Sequence, residues 1–254
     1  MTNKLYSVAF WFALASTSLV MFVGAVFLWF VTMPFDPDRR ILHLYTCFWG
    51  HMYFHFNPTW TTRVEGRQKL PWRGGAVLVS NHESLGDILI LFGLYRPFKW
   101  VSKQASFRLP LIGWNMTLNN YVSLVRGNKE SIAKMMAECE RWLDRGMPVM
   151  IFPEGTRSPD GNIQAFKDGA FRLAIAKKVP IYPIVVTGSA DTLPKHGWVV
   201  QSRSFCRVRV LDPVPWNVCG ENVEALRDHV RQIIVDEKAR MLAENPGASP
   251  RLAA

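Results

Sequence analysis

The stretch GAVLVSNHESLGDILILFGLY, Gly75 to Tyr95, decides how the chain is read. It opens on a short β-branched run, Gly75 to Ser80, then passes through a polar turn into a helical pattern from Leu85. The same alternation recurs downstream. KWVSK, YVSLV (Tyr121 to Val125), PVMIF, VPIYPIVVTG and FCRVRVLDPVP read as strands. Between and after them, Lys129 to Arg145, FKDGAFRLAIAKK and Asn222 to Glu244 read as helices. In the first of these, Ile132, Met135, Met136, Cys139, Trp142 and Leu143 fall at helical spacing, and Gly146 supplies the stop. Strands alternating with helices predict an α/β fold: a mixed, largely parallel sheet covered by helices on both faces.

Upstream, the chain changes character. Of 254 residues, 49% are apolar, and they are unevenly spread. No charged side chain occurs from Leu5 to Phe35, and the run from Ser7 to Met33 spans roughly 40 Å as a helix. About 20 residues suffice to cross a hydrocarbon core. A signal peptide has a shorter apolar region and a small-residue cleavage site, so this one reads as an uncleaved anchor. Arg39, Arg40, Arg63 and Arg67 follow it against Lys4 before it, which predicts an inner-membrane protein with its large C-terminal part in the cytoplasm. The net charge of +10 fits an anionic leaflet. The basic residues are scattered and come with an anchor, which argues against a nucleic-acid partner. A second apolar stretch, Ile41 to Trp60, is rich in aromatics and reads as a shallow membrane helix or one packed beside the anchor. Its His51 and His55 lack a nearby carboxylate or cysteine to complete a metal site, and no metal is expected. Cys47, Cys139, Cys206 and Cys219 are too scattered for a disulfide framework or a zinc site. The expected organisation is a membrane-associated segment over 1–62, an α/β domain over 63–244 and a frayed tail over 245–254.

Chemistry concentrates where strands end, as ligand sites in open α/β sheets do. His82 and Asp87, five residues apart, would lie about 140° apart on one regular helix and could not meet. They can meet if His82 sits in the turn and Asp87 on the first helical turn. Asp87 would then fix the imidazole tautomer and leave Nε2 to act as a general base. The alternative is a plain capped helix, with Asn81 or Ser84 as the cap. FPEGTRS, Phe152 to Ser158, repeats the strand-end placement. Gly155 permits close backbone approach, and the Arg157 fork suits phosphate oxygens. Arg126, Lys103 and Lys167 are further candidates for an anion.

NHESLGD with FPEGTRS resembles the first and third signature blocks of the glycerolipid acyltransferases of the lysophosphatidate acyltransferase type. SLVRG resembles their second block, although NNYVSLVR lacks the glycine and acidic residue often found there. VPIYPIVV resembles the fourth. The likeness covers about Gly75 to Gly188. It implies transfer of a fatty acyl group from acyl-CoA or acyl carrier protein to a lysophospholipid hydroxyl, with 1-acyl-glycerol-3-phosphate as acceptor and no bound cofactor. It also implies His82 as general base, Asp87 as its orienter, and Glu154, Gly155, Thr156, Arg157 and Arg126 around the acceptor. Three alternatives stay open: a different lysolipid acceptor, a non-catalytic lipid-binding membrane protein, and a serine hydrolase. The last lacks a GxSxG nucleophile, and Ser84 is the serine nearest in sequence.

Overall fold

In the computed structural model, residues 2–158, 161–190, 192, 198–201 and 203–244 are described. The expected tail, 245–254, lies outside them.

Two helices lead the chain: α1 (Thr2–Thr32) and α2 (Arg40–His55). A seven-stranded sheet follows. Its strands are β1 (Trp60–Glu65), β2 (Val77–Ser80), β3 (Lys99–Lys103), β4 (Val122–Leu124), β5 (Val149–Ile151), β6 (Ile181–Thr187) and β7 (Ser204–Val210). The spatial order is β1-β7-β6-β2-β5-β3-β4, and every pairing except β6–β7 is parallel. The other α-helices are α3 (Gly86–Leu91), α4 (Ile112–Leu118), α5 (Lys129–Asp144), α6 (Gly169–Lys177) and α7 (Val223–Glu244), and a short strand, Val218–Glu221, lies outside the sheet. This is the mixed, largely parallel α/β sheet expected from the strand–helix alternation.

The pleat of β2 sorts its side chains between two cores. Leu78 joins Trp100, Met150 and Ile184 on the face covered by α2 and α3, while Val77 and Val79 join Val149, Ile181 and Val185 on the face covered by α5, α6 and α7. Burial on both faces explains why these strands read as continuous apolar runs.

β1 was not expected, because the aromatic run before it reads as helix up to Trp60. The helix stops at His55, and the Asn57 side chain accepts from Thr59 N–H at 3.1 Å to form a turn. Trp60 is then free to pair with Ser204, so the sheet begins three residues before the expected boundary at 63. At this edge, Arg209 on β7 binds Glu65 on β1 at 2.6 Å and Glu237 on α7 at 2.6 Å, which fixes α7 across the sheet.

α1 is long and apolar enough to cross a membrane, with a mean hydropathy of 2.1 over its apolar window. It is not a free stalk. The Trp11 indole donates to Trp198 O at 2.7 Å, the Tyr6 hydroxyl accepts from Asn57, and Phe22 packs on Trp114 at 5.6 Å. Farther along, Tyr45 from α2 donates to Met21 O at 3.0 Å. One face of α1 is therefore tied to the rest of the molecule along much of its length. The other face exposes Leu5, Phe12, Val20, Phe27 and Phe30. α2 lies between α1 and α3, with Gly50 pressed against the Phe92 ring, which excludes any larger side chain there.

Candidate active site

β2 ends at Ser80, and the next side chain prolongs the sheet. Asn81 donates to Val186 O and accepts from Val186 N–H, both at 2.9 Å, so its amide pairs with β6 while the backbone turns away. It does not cap α3. Ser84 does part of that work, its hydroxyl accepting from Gly86 N–H at 3.0 Å.

The turn holds His82 and α3 holds Asp87 in its first turn, and the two meet: His82 Nδ1 lies 2.8 Å from Asp87 Oδ2. The tautomer follows from the rest of that oxygen's partners. Asp87 Oδ2 also accepts from the backbone N–H groups of Glu83 at 2.6 Å and Ser84 at 2.9 Å. An oxygen taking two amide donors is an acceptor for the imidazole as well, so Nδ1 carries the proton and Nε2 presents its lone pair. Asp87 is fully buried, and a carboxylate in the first turn of a helix is favoured by the amide dipoles. The imidazole stacks on Phe152 at 4.0 Å and 14°, and Phe152 stacks in turn on Trp100 at 5.5 Å. This column of rings runs from the end of β2 past β5 to β3. Nε2 has no partner among the described residues.

The FPEGTRS segment follows β5, the strand beside β2, and is stitched to the histidine turn. Glu154 accepts from His82 N–H at 2.8 Å through one carboxylate oxygen and from Gln164 N–H at 2.8 Å through the other. Ser158 N–H donates to His82 O at 2.8 Å. Glu154 is buried, and burial raises its pKa against the lowering pull of those two amides. With each oxygen holding a backbone amide, Glu154 braces the turn. Gly155 adopts φ 70°, and a Cβ there would lie 2.8 Å from Lys167 Nζ. The Lys167 chain thus lies across the glycine, which brings two of the expected residues together. Thr156 is exposed beside them, and Arg157 is half-buried next to Ser158.

The other two basic candidates stand apart. Lys103 ends β3 and Arg126 follows β4, both exposed. By strand order they lie one and two strands beyond β5, roughly 5 and 10 Å across the sheet.

Sequence reasoning missed Glu83 and Lys238. Glu83 lies inside the histidine block, is buried, and pairs with Lys238 from α7, which also donates to Gly161 O. Burial pushes the Glu83 carboxyl up to about 7, against the pull of Lys238. Lys238 thereby ties the histidine turn to the chain just beyond FPEGTRS. A charged residue at position 83 was the available signal, but its partner is 155 residues away and no spacing announces it.

An imidazole with one nitrogen committed and the other open, next to a glycine turn and basic side chains, is suited to take a proton from a hydroxyl near an anion. The comparisons point the same way. A family model described as Acyltransferase matches residues 61–187. A 1-acyl-sn-glycerol-3-phosphate acyltransferase of Chlamydomonas reinhardtii is 35% identical over 219 residues, which are 85% of this chain and 64% of that protein. A chloroplastic protein of the same name from Arabidopsis thaliana is 32% identical over 220 residues, 86% of this chain and 59% of its own length. The human alpha form is 33% identical over 192 residues, 71% of this chain and 65% of its own. The chain thus spans about three-fifths of the length of these relatives. Among solved structures, the 1-acyl-sn-glycerophosphate acyltransferase PlsC of Thermotoga maritima superposes with a TM-score of 0.77 at 24% identity, covering 95% of this chain and 97% of that one. That likeness is one of fold.

Proposed function

Because the chain belongs to the acyltransferase family, we propose that it moves a fatty acyl group from a thioester to the free hydroxyl of a lysophospholipid. 1-Acyl-sn-glycerol-3-phosphate is the acceptor and phosphatidic acid the product. The donor is acyl-CoA or acyl carrier protein. The observation that carries this reading is the open Nε2 of His82, backed by Asp87.

His82 Nε2 removes the acceptor proton as the hydroxyl oxygen bonds to the thioester carbonyl carbon. The resulting imidazolium is stabilised by Asp87. Collapse of the tetrahedral intermediate breaks the C–S bond, and the thiolate leaves with the proton returned by His82. Arg157 and Lys167 hold the acceptor phosphate, with Arg157 offering a two-pronged contact that lysine cannot reproduce. Glu154 acts behind this line by fixing the backbone of His82.

The exposed apolar face of α1 supports membrane association, which spares a two-tailed product the extraction of its chains into water, about 0.8 kcal/mol per methylene. Since α1 is tied along the domain, it lies against the bilayer together with that domain, on the cytoplasmic side.

The hydrolase alternative loses ground: Ser84 is buried and its hydroxyl accepts from Gly86 N–H. The deciding experiment is an acyl-transfer assay on the purified chain over a panel of lysolipids with both donor types. Phosphatidic acid should form, and His82→Ala should abolish it while lysolipid binding persists. Full turnover in His82→Ala would remove the histidine from the reaction. Preference for an acceptor without a phosphate monoester would redirect the headgroup assignment.

A further inference from the structure

Between β3 and β4 the chain makes a knuckle that the acyl-transfer reading does not use: FRLPLIGW, Phe107 to Trp114. It is built under strain. Ile112 N–H donates to Pro110 O at 2.7 Å, closing a three-residue turn, and Leu111 at its centre takes φ 63° and ψ −60°. A branched side chain adopts that left-handed conformation only against a steric penalty. Gly113 then lets α4 press onto the preceding turn, where a Cβ would meet Phe107 O at 2.4 Å.

The strained turn does not bury its apolar residues. Leu109 is 51% exposed, Ile112 43% and Trp114 50%. Water is a poor solvent for the Leu109 and Ile112 side chains and for the body of the Trp114 ring, whose one polar group, the indole N–H, suits the headgroup level. The Trp114 ring packs on Phe22 in the middle of α1, beside the exposed Leu19, Val20 and Val23. The knuckle is thus continuous with the apolar face of α1. Charge marks the nature of the surface it fits. No Asp or Glu occurs between Asp87 and Glu130, and Lys103 and Arg108 flank the knuckle on its exposed side.

We propose that the Leu109–Trp114 knuckle is a second bilayer contact. It seats Leu109, Ile112 and Trp114 among the acyl chains of an anionic leaflet alongside α1, with Arg108 and Lys103 at the phosphate level. The knuckle follows the C-terminal end of β3, the same end of the parallel sheet that presents His82 after β2 and Arg157 after β5. Seating it turns that mouth toward the membrane. The inference rests on the membrane association of α1 and not on acyl transfer.

The test places single cysteines at Ile112→Cys and, as control, Val218→Cys in a Cys219→Ser background, the other three cysteines being buried. Each is labelled with an environment-sensitive fluorophore, and the full chain is reconstituted in phosphatidylcholine–phosphatidylglycerol vesicles. At 112, emission should shift to the blue and be quenched by lipids brominated on their acyl chains, while the label at 218 should respond only to aqueous iodide. Quenching at 112 should also fall by about twofold or more when phosphatidylglycerol is omitted. A label at 112 as open to iodide as that at 218 would overturn the proposal. Shielding from iodide without bromolipid quenching would mean that a second copy covers the knuckle, and would overturn it equally. No readout requires turnover, so failure here and failure of the acyl-transfer reading are separable.

Discussion

The two ends of the parallel sheet bury charge in opposite styles. At the N-terminal end, the fully buried Lys99 donates to Asp38 O at 2.7 Å and Asn119 O at 2.6 Å, with its Nζ 4.3 Å from the centre of the Trp142 ring. Around it, Arg40 donates to Trp72 O and Gly146 O, and Asp36 accepts from Arg40 N–H and Ile41 N–H at the start of α2. These contacts bolt the α1–α2 connection to the domain. At the C-terminal end, Glu83, Lys238 and Glu154 are also buried and paired, but they support a ring whose Nε2 is left open. Burial of charge is common to both ends. Among the described residues, only the C-terminal end adds an imidazole backed by a buried carboxylate and open at Nε2.

Removing the open group breaks this contrast most. His82→Ala should lower kcat for acyl transfer by about 10²–10⁴-fold, with the far-UV spectrum unchanged. Asp87→Asn is the finer version. The Glu83 and Ser84 amides keep the Asn oxygen at the Oδ2 position, so the tautomer is retained and the negative charge that stabilises the imidazolium is lost. A loss in kcat of similar size, about 10²–10⁴-fold, is expected with little change in acceptor KM. A wild-type kcat in Asp87→Asn would mean that the carboxylate charge is irrelevant. Lys238→Met tests the bracing. It strands the buried Glu83 carboxylate and should lower stability by about 3–5 kcal/mol in chemical unfolding. Adding Glu83→Gln should recover most of that, because no buried charge is then left alone. A double variant as unstable as Lys238→Met would refute the pairing.

Much of this architecture was legible because it follows from local pattern. The strands β2 to β7 and the helices α5 to α7 declare themselves through periodicity and glycine stops, and the His82–Asp87 meeting follows from helix geometry once the turn is placed. β1 was hidden because Trp60 to Glu65 pairs with a strand some 144 residues later, a partnership that composition cannot reveal. The bracing contacts of Glu154 in FPEGTRS were hidden as well, because the two backbone amides its carboxylate holds are placed only by the tertiary fold. The histidine at the core of α2 likewise takes its role from tertiary contacts. His43 accepts from or donates to Tyr121 Oη at 2.7 Å and lies 3.0 Å from Arg96 O, deep in the core, so polar character there is structural.

The smallest expected effect belongs to the N-terminal end and sharpens the comparison through pH. Burial lowers the pKa of Lys99 from its ordinary 10.5 to about 7, against the opposing pull of Asp38 and Asp36. A neutral amine still has two N–H bonds, which is the number its two carbonyl partners require. Between about pH 7 and 10.5 the unfolded lysine therefore binds a proton that the folded one has given up. Stability should rise with pH across that window, by at most about 1.4 kcal/mol per unit. Below pH 7 the folded amine takes up the proton and this contribution levels off. Lys99→Met removes the titrating group, so its unfolding midpoint should change less between pH 7 and 9 than that of the wild type. The variant loses two hydrogen bonds and is less stable overall, but its His82-dependent turnover below the unfolding temperature should persist, since the substitution lies at the far end of the sheet. Equal pH slopes in the two proteins would show that Lys99 stays charged in the fold, held by the aspartates more strongly than burial opposes it.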